Sequence, residues 1–170
     1  MFIQKHLLTS VGLGVGKKLK VCVGASAGGH MTELLGLLKT SDTWPAQPSV
    51  YVTTREIWAK KLRERGPTYI VGECDRDKPL KMLQTIARGL YFILKERPDV
   101  IITTGSLPIA IVCVLSKLIG TKVLWVDSLA QIDELSMSGK LMLKFADVLL
   151  VQWPEVAERY PKAEYVGELQ

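Results

Sequence analysis

From residue 20 onward, short apolar runs alternate with longer segments of helical period, and this alternation restricts the chain more than any other feature. A run of four or five apolar residues suits a strand buried on both faces. A segment of ten or more suits the helix that crosses back over the sheet. Strands are expected at 20–23, 49–52, 69–71, 100–103, 122–126, 148–151 and 164–166, with helices at 30–39, 56–65, 79–95, 108–119, 139–145 and 154–159. Pro79, Pro108 and Pro154 fall at first helical positions, where a missing N–H costs nothing. The pattern predicts an α/β fold, a Rossmann-like doubly wound parallel sheet. With 170 residues and 48% apolar content the chain can bury one substantial core. A single domain over 19–170 is expected, preceded by an apolar and basic tail over 1–18.

That tail contains glycines at 12, 14 and 16 and is too short for a bilayer span. Lysines at 17, 18 and 20 follow its apolar part, the reverse of a secretory signal. Cys22, Cys74 and Cys113 are widely spaced and lie in or near apolar runs, which argues against a disulfide framework or a zinc site and suits a reducing compartment. The net charge of +5 matches either solvated lysines or attraction to an anionic partner. No zinc-finger or RNA-recognition signature accompanies it, so nucleic acid is not an expected partner.

Ligands of such sheets bind beyond the carboxyl ends of the strands. Three loops lie there: 24–29, 103–107 and 127–138. The first turns a strand into a helix through Gly24-Ala25-Ser26-Ala27-Gly28-Gly29-His30. Unpaired N–H groups and the positive end of the helix dipole converge on such a turn and favour anions. Gly24-x-Ser26-x-Gly28 formally matches a nucleophile elbow, but no histidine follows His30 to complete a triad. The lysine of a P-loop and the G-x-G-x-x-G of a dinucleotide site are also missing. What remains is His30 with Glu33 three residues on. The pair reads either as a general base with an orienting carboxylate or as a histidine that binds an acceptor hydroxyl or phosphate. The second loop, Thr103-Thr104-Gly105-Ser106, offers N–H groups for a diphosphate, or simply a helix cap by Thr104 or Ser106.

Two helices carry wide apolar arcs. Segment 108–119 reads as a helix buried against the sheet. In 79–95, Leu83, Ile86, Leu90 and Leu94 form an expected core stripe, while Lys81, Arg88 and Lys95 fall on one line. A core helix with a solvated basic face and a helix lying on an anionic membrane surface both fit.

At these residues the chain resembles the GT-B sugar-nucleotide glycosyltransferases. It is most similar to the acceptor-side subunit of the two-part UDP-N-acetylglucosamine transferase of N-glycan assembly and to bacterial relatives in capsule and exopolysaccharide synthesis. The matching stretches begin with Gly28-Gly29-His30-Met31-Thr32-Glu33-Leu34 and Pro98-Asp99-Val100-Ile101-Ile102-Thr103-Thr104-Gly105. They continue through Val126-Asp127-Ser128, Leu135-Ser136-Met137-Ser138-Gly139-Lys140 and Ala146-Asp147-Val148-Leu149-Leu150-Val151-Gln152-Trp153-Pro154, and end at Tyr160-Pro161 and Tyr165-Val166-Gly167. Asp127-Ser128 and Gln131 stand where the family tends to carry Glu-Ser and an arginine.

The resemblance implies the N-terminal half of a GT-B enzyme and a subunit that works only with a donor-binding partner chain, which would hold most of the UDP-sugar. No metal or resident cofactor is implied. The acceptor would be a lipid-diphosphate-linked saccharide. His30 and Glu33 would be catalytic, and Ser26, Ala27, Gly28, Gly29, Thr104, Gly105, Ser106, Asp127 and Ser128 would line the acceptor and phosphate site. The long hydrophobic anchor of eukaryotic members has no counterpart in the sequence, so a cytoplasmic protein, peripheral on the inner face of the cell membrane, is expected. Its rivals are a stand-alone ligand-binding or regulatory domain and a self-sufficient homodimeric enzyme.

Overall fold

The computed structural model describes residues 19–168; the expected tail over 1–18 lies outside the described residues. In chain order the elements are β1 (Val21–Ala25), α1 (Gly29–Leu38), β2 (Pro48–Thr53), α2 (Glu56–Arg63), β3 (Thr68–Ile70), α3 (Pro79–Glu96) and β4 (Val100–Thr103). There follow α4 (Leu107–Ser116), β5 (Lys122–Val126), α5 (Met137–Met142), β6 (Val148–Val151), α6 (Pro154–Arg159) and β7 (Ala163–Tyr165). The strands form one parallel sheet in the order β3-β2-β1-β4-β5-β6-β7. The chain winds outward from β1 to β3, crosses back to β4 and winds the other way. The switch between the two directions falls between β1 and β4, where a parallel sheet opens a crevice.

Each sheet face has its own core. Met31, Leu34, Leu37 and Leu38 of α1 and Leu62 of α2 pack with Val21, Val23, Ile102 and Val126 on one side. Phe92, Ile93, Ile109, Val112, Met142 and Val156 pack with Cys22, Val52, Ile101 and Trp125 on the other. β1 and β2 approach closely at Gly24, where a Cβ would stand 2.3 Å from Val52 Cγ1. The three cysteines are buried as free thiols, and burial pushes Cys113 up to about 12.

Several boundaries differ from expectation. β3 and β7 begin one residue early, and the helix expected over 108–119 ends at Ser116 in a tighter turn, Lys117–Ile119. The helix expected over 139–145 starts at Met137, because Ser136 Oγ accepts the Gly139 N–H at 2.9 Å and caps it.

The larger correction concerns α3. Its expected core stripe is rotated: Leu83 and Leu94 are 63% and 59% exposed, while Thr85, Gly89, Phe92 and Ile93 are buried. Size decides the face. α3 crosses α4 at Gly89, where even a Cβ would sit 3.3 Å from Val112 Cγ2, so the small residues turn inward. Phe92 then fills the space beside Tyr69, ring centroids 5.2 Å apart. A row of leucines is left facing outward.

Candidate functional site

The two glycine-containing turns meet at the switch point. Thr104 Oγ1 donates to the His30 carbonyl at 2.6 Å, and His30 Nδ1 lies 2.7 Å from the Thr104 carbonyl oxygen. A carbonyl can only accept, so the ring carries its hydrogen on Nδ1 in that bond. The Nε2 lone pair of the neutral ring is thereby available. Gly105, at φ +117°, lets the backbone pass the imidazole: a Cβ there would stand 3.1 Å from Cε1. Glycine is required at this contact.

Neither helix that starts here has a side-chain cap. α1 follows Gly28 at φ +93° and α4 follows Ser106, and no hydroxyl or carboxylate closes either first turn. Capping by Thr104 or Ser106 is therefore not what these residues do. Thr104 is spent on His30, and Ser106 Oγ is buried with no partner among the described residues. Ser106 also sits at φ +94°, ψ 156°, a region costly for any residue with a Cβ. The starts of both helices thus lie beside each other, joined through His30 and Thr104, and uncapped first turns of this kind favour an anion. On the far side of the first turn, the Ala27 N–H donates to Thr54 Oγ1 at 3.1 Å, and Ser26 lies buried at the end of β1.

Glu33 is not the group that orients the imidazole. Its Oε1 accepts the Leu129 N–H at 3.2 Å and the Ser128 hydroxyl at 3.4 Å, and its Oε2 is buried without a partner among the described residues. Burial pushes this carboxyl above the ordinary range, against the lowering effect of the Leu129 N–H and His30. The Thr104 carbonyl has the orienting role that the sequence assigned to Glu33.

Asp127, only 3% exposed, is engaged from within the protein. Its carboxylate accepts Trp125 Nε1–H at 3.1 Å, the Ser136 N–H at 2.7 Å and the Ser136 hydroxyl at 2.6 Å. Gly139 packs against it so closely that a Cβ would lie 2.6 Å from Oδ1. The segment after β5 is further held by Gln152, which donates to the Asp127 carbonyl at 3.0 Å, and by Trp153 Nε1, which donates to the Leu129 carbonyl at 2.6 Å. Sequence reading assigned no role to Thr54, Trp125, Ser136, Gln152 or Trp153. Ser136, Gln152 and Trp153 stand in the stretches that carry the family resemblance, whereas Thr54 and Trp125 had position as their signal, each lying within a few residues of a strand's carboxyl end.

A doubly wound parallel sheet, with two uncapped helix starts and a tautomer-fixed histidine at its switch point, has the architecture of one Rossmann-like half of a GT-B protein. Solved structures of that kind superpose on it. MurG of Acinetobacter baumannii matches 88% of the chain with a TM-score of 0.69 at 18% identity. A UDP-N-acetylglucosamine 2-epimerase of Rickettsia bellii matches 89% with a TM-score of 0.67 at 15% identity. The chain spans 45% of the length of each, so its fold is that of one half of a GT-B glycosyltransferase. Residues 69–169 match the family described as "Oligosaccharide biosynthesis protein Alg14 like", and the chain belongs to that family. Several relatives bear the name UDP-N-acetylglucosamine transferase subunit ALG14, among them one from Yarrowia lipolytica and one from human. The one from Yarrowia lipolytica is 31% identical over 89% of this chain and 81% of its own length, and the human one is 27% identical over 96% and 88%.

Proposed function

We propose that this chain is the acceptor-binding subunit of a heteromeric UDP-sugar glycosyltransferase that extends a lipid-linked oligosaccharide, in capsule or exopolysaccharide synthesis. The observation that carries the reading is the His30–Thr104 pair. It leaves Nε2 of the neutral ring as an acceptor, beside two helix starts without a side-chain cap, which suit a diphosphate. His30 takes the proton of the acceptor hydroxyl as that oxygen attacks the anomeric carbon. Ser26 to Gly29 and Thr104 to Ser106 hold the acceptor diphosphate. Asp127 and Ser128 shape the third wall. A partner chain brings the UDP-sugar and closes the crevice, as the second half does in a GT-B enzyme.

The membrane surface enters through α3. Its exposed Leu80, Leu83, Leu90 and Leu94 run beside exposed Lys81, Arg88 and Lys95, which suits a helix lying on anionic lipid. Among the described residues no helix is long and apolar enough to cross a membrane. The protein then sits peripherally on the cytoplasmic face, where its acceptor is anchored.

Co-expression with a donor-binding partner tests the scheme, with transfer from UDP-N-acetylglucosamine to a lipid-diphosphate-linked saccharide as the assay. The complex should be active and the chain alone should not, and His30→Ala should cost about a hundredfold or more in turnover. Full activity of the isolated chain, or unchanged turnover of the variant, refutes the assignment.

A further inference from the structure

We infer that Glu33 is a positioning residue that latches the loop after β5 to α1, and that it acts on the acceptor through that loop and not through His30. The inference rests on the acceptor-side reading above for its consequence, and on geometry for its existence. The loop over 127–136 is held near its far end by Arg159, which donates to the Asp133 carbonyl at 3.3 Å, and by the Lys140–Glu134 ion pair at 2.8 Å, and it has three further sets of attachments. Gln152 and Trp153, beside β6, hold its base through the carbonyls of Asp127 and Leu129, and Asp127 gathers its far end through Ser136. The third attachment reaches across the switch point, from Glu33 Oε1 to the Leu129 N–H and the Ser128 hydroxyl. Glu33 stands one helical turn beyond His30, so the helix that carries the histidine also carries the latch.

Two features separate this role from that of an orienting carboxylate. His30 Nδ1 is already committed to the Thr104 carbonyl, so the tautomer and ring plane are set without Glu33. The contacts that Glu33 makes ask for an oxygen acceptor at Oε1 and do not ask for a charge. A neutral amide offers the same oxygen. The latch therefore predicts that Gln replaces Glu33 and Ala does not, whereas an electrostatic partner of the imidazole predicts that both fail.

The test uses Glu33→Ala and Glu33→Gln, each in the full chain and in the complex with the donor-binding partner. In the full chain alone, amide hydrogen exchange over Ser128–Ala130 should quicken by about tenfold or more in Glu33→Ala, the scale of one lost hydrogen bond. It should stay within about threefold of the parent in Glu33→Gln. In the complex, Glu33→Ala should raise the acceptor KM by about tenfold with kcat within about threefold, and the pH profile of turnover should keep its shape. Glu33→Gln should restore both constants.

Equal loss of kcat in the two variants, or a displaced pH profile, would overturn the latch in favour of a direct effect on His30. Unchanged exchange in Glu33→Ala would overturn it outright. If the unmodified complex transferred no sugar, the acceptor-side reading would fall while the exchange measurement still decided whether the latch exists.

Discussion

Replacing Ser106 by glycine should make the protein more stable. Ser106 is held at φ +94°, ψ 156°, a region that costs a residue with a Cβ about 1–3 kcal/mol. Its Oγ is buried without a partner among the described residues, so its removal forfeits no hydrogen bond among them. Glycine returns about 0.5–1 kcal/mol of this gain through the extra freedom of its unfolded chain. The net expectation is a gain of up to about 2.5 kcal/mol, centred near about 1 kcal/mol, or an increase in Tm of about 2–4 °C at that centre for a domain of this size. Ser106→Ala is the control, because it deletes the hydroxyl and keeps the strain; it should fall within about 0.5 kcal/mol of the parent. Urea denaturation and thermal melting of the two variants beside the parent give the answer. In the complex, Ser106→Gly should weaken acceptor binding even as stability rises, the exchange expected of strain held at a binding loop. A Ser106→Gly protein that melts below the parent would refute the strain argument.

Gly139→Ala should destabilise by about 1–3 kcal/mol in the same denaturation assay, since the new methyl would meet the Asp127 carboxylate at 2.6–2.8 Å and displace its hold on Ser136. Asp147 gives a pH-dependent prediction. Burial alone would raise its pKa, but Lys117 at 2.6 Å, the Val123 N–H at 2.8 Å and Lys122 at 3.0 Å hold it below the ordinary value. A depressed carboxylate stabilises above its unfolded pKa of about 3.9 and loses that contribution as pH falls through the folded value. Asp147→Asn should therefore be less stable than the parent at pH 7, with the gap closing below about pH 4 in urea titrations. Flotation with vesicles containing phosphatidylglycerol tests α3: the chain should float at low salt and less so at about 0.5 M salt, roughly three times the physiological ionic strength. Serine at both Leu83 and Leu94 should abolish flotation, and a parent chain that stays in the soluble fraction at low salt would refute a membrane-facing α3.

The winding of the sheet was legible because strands buried on both faces must be apolar throughout, and Val21–Ala25, Val100–Thr103 and Val148–Val151 are interrupted only by small or hydroxylated residues. The face of α3 was not legible from periodicity, since both of its long arcs carry apolar side chains. Volume chose between them, through Gly89 at the crossing with α4. At the site, the glycine turns and His30 could be read as a strand-to-helix junction. The partner of His30 could not, because Thr104 lies 74 residues away and becomes its neighbour only when β4 pairs with β1. Glu33 was drawn to His30 by their spacing along α1, yet its carboxylate accepts an N–H from the loop after β5. Asp127, which the resemblance implies as a lining residue of the acceptor site, is held in the interior as the anchor of that loop.

The central place of β1 in the sheet has a consequence for the nascent chain. β1 pairs with β2 on one side and with β4 on the other, and β4 is translated roughly 80 residues later. At a synthesis rate of about 5–20 residues per second, one apolar margin of β1 waits for about 4–16 s with its N–H and C=O groups unmatched. An emerging polypeptide in that interval presents an open template for foreign strands. Slow codons or truncation ahead of Val100 should thus favour aggregation on the ribosome, and chaperone capture should be most productive in this window.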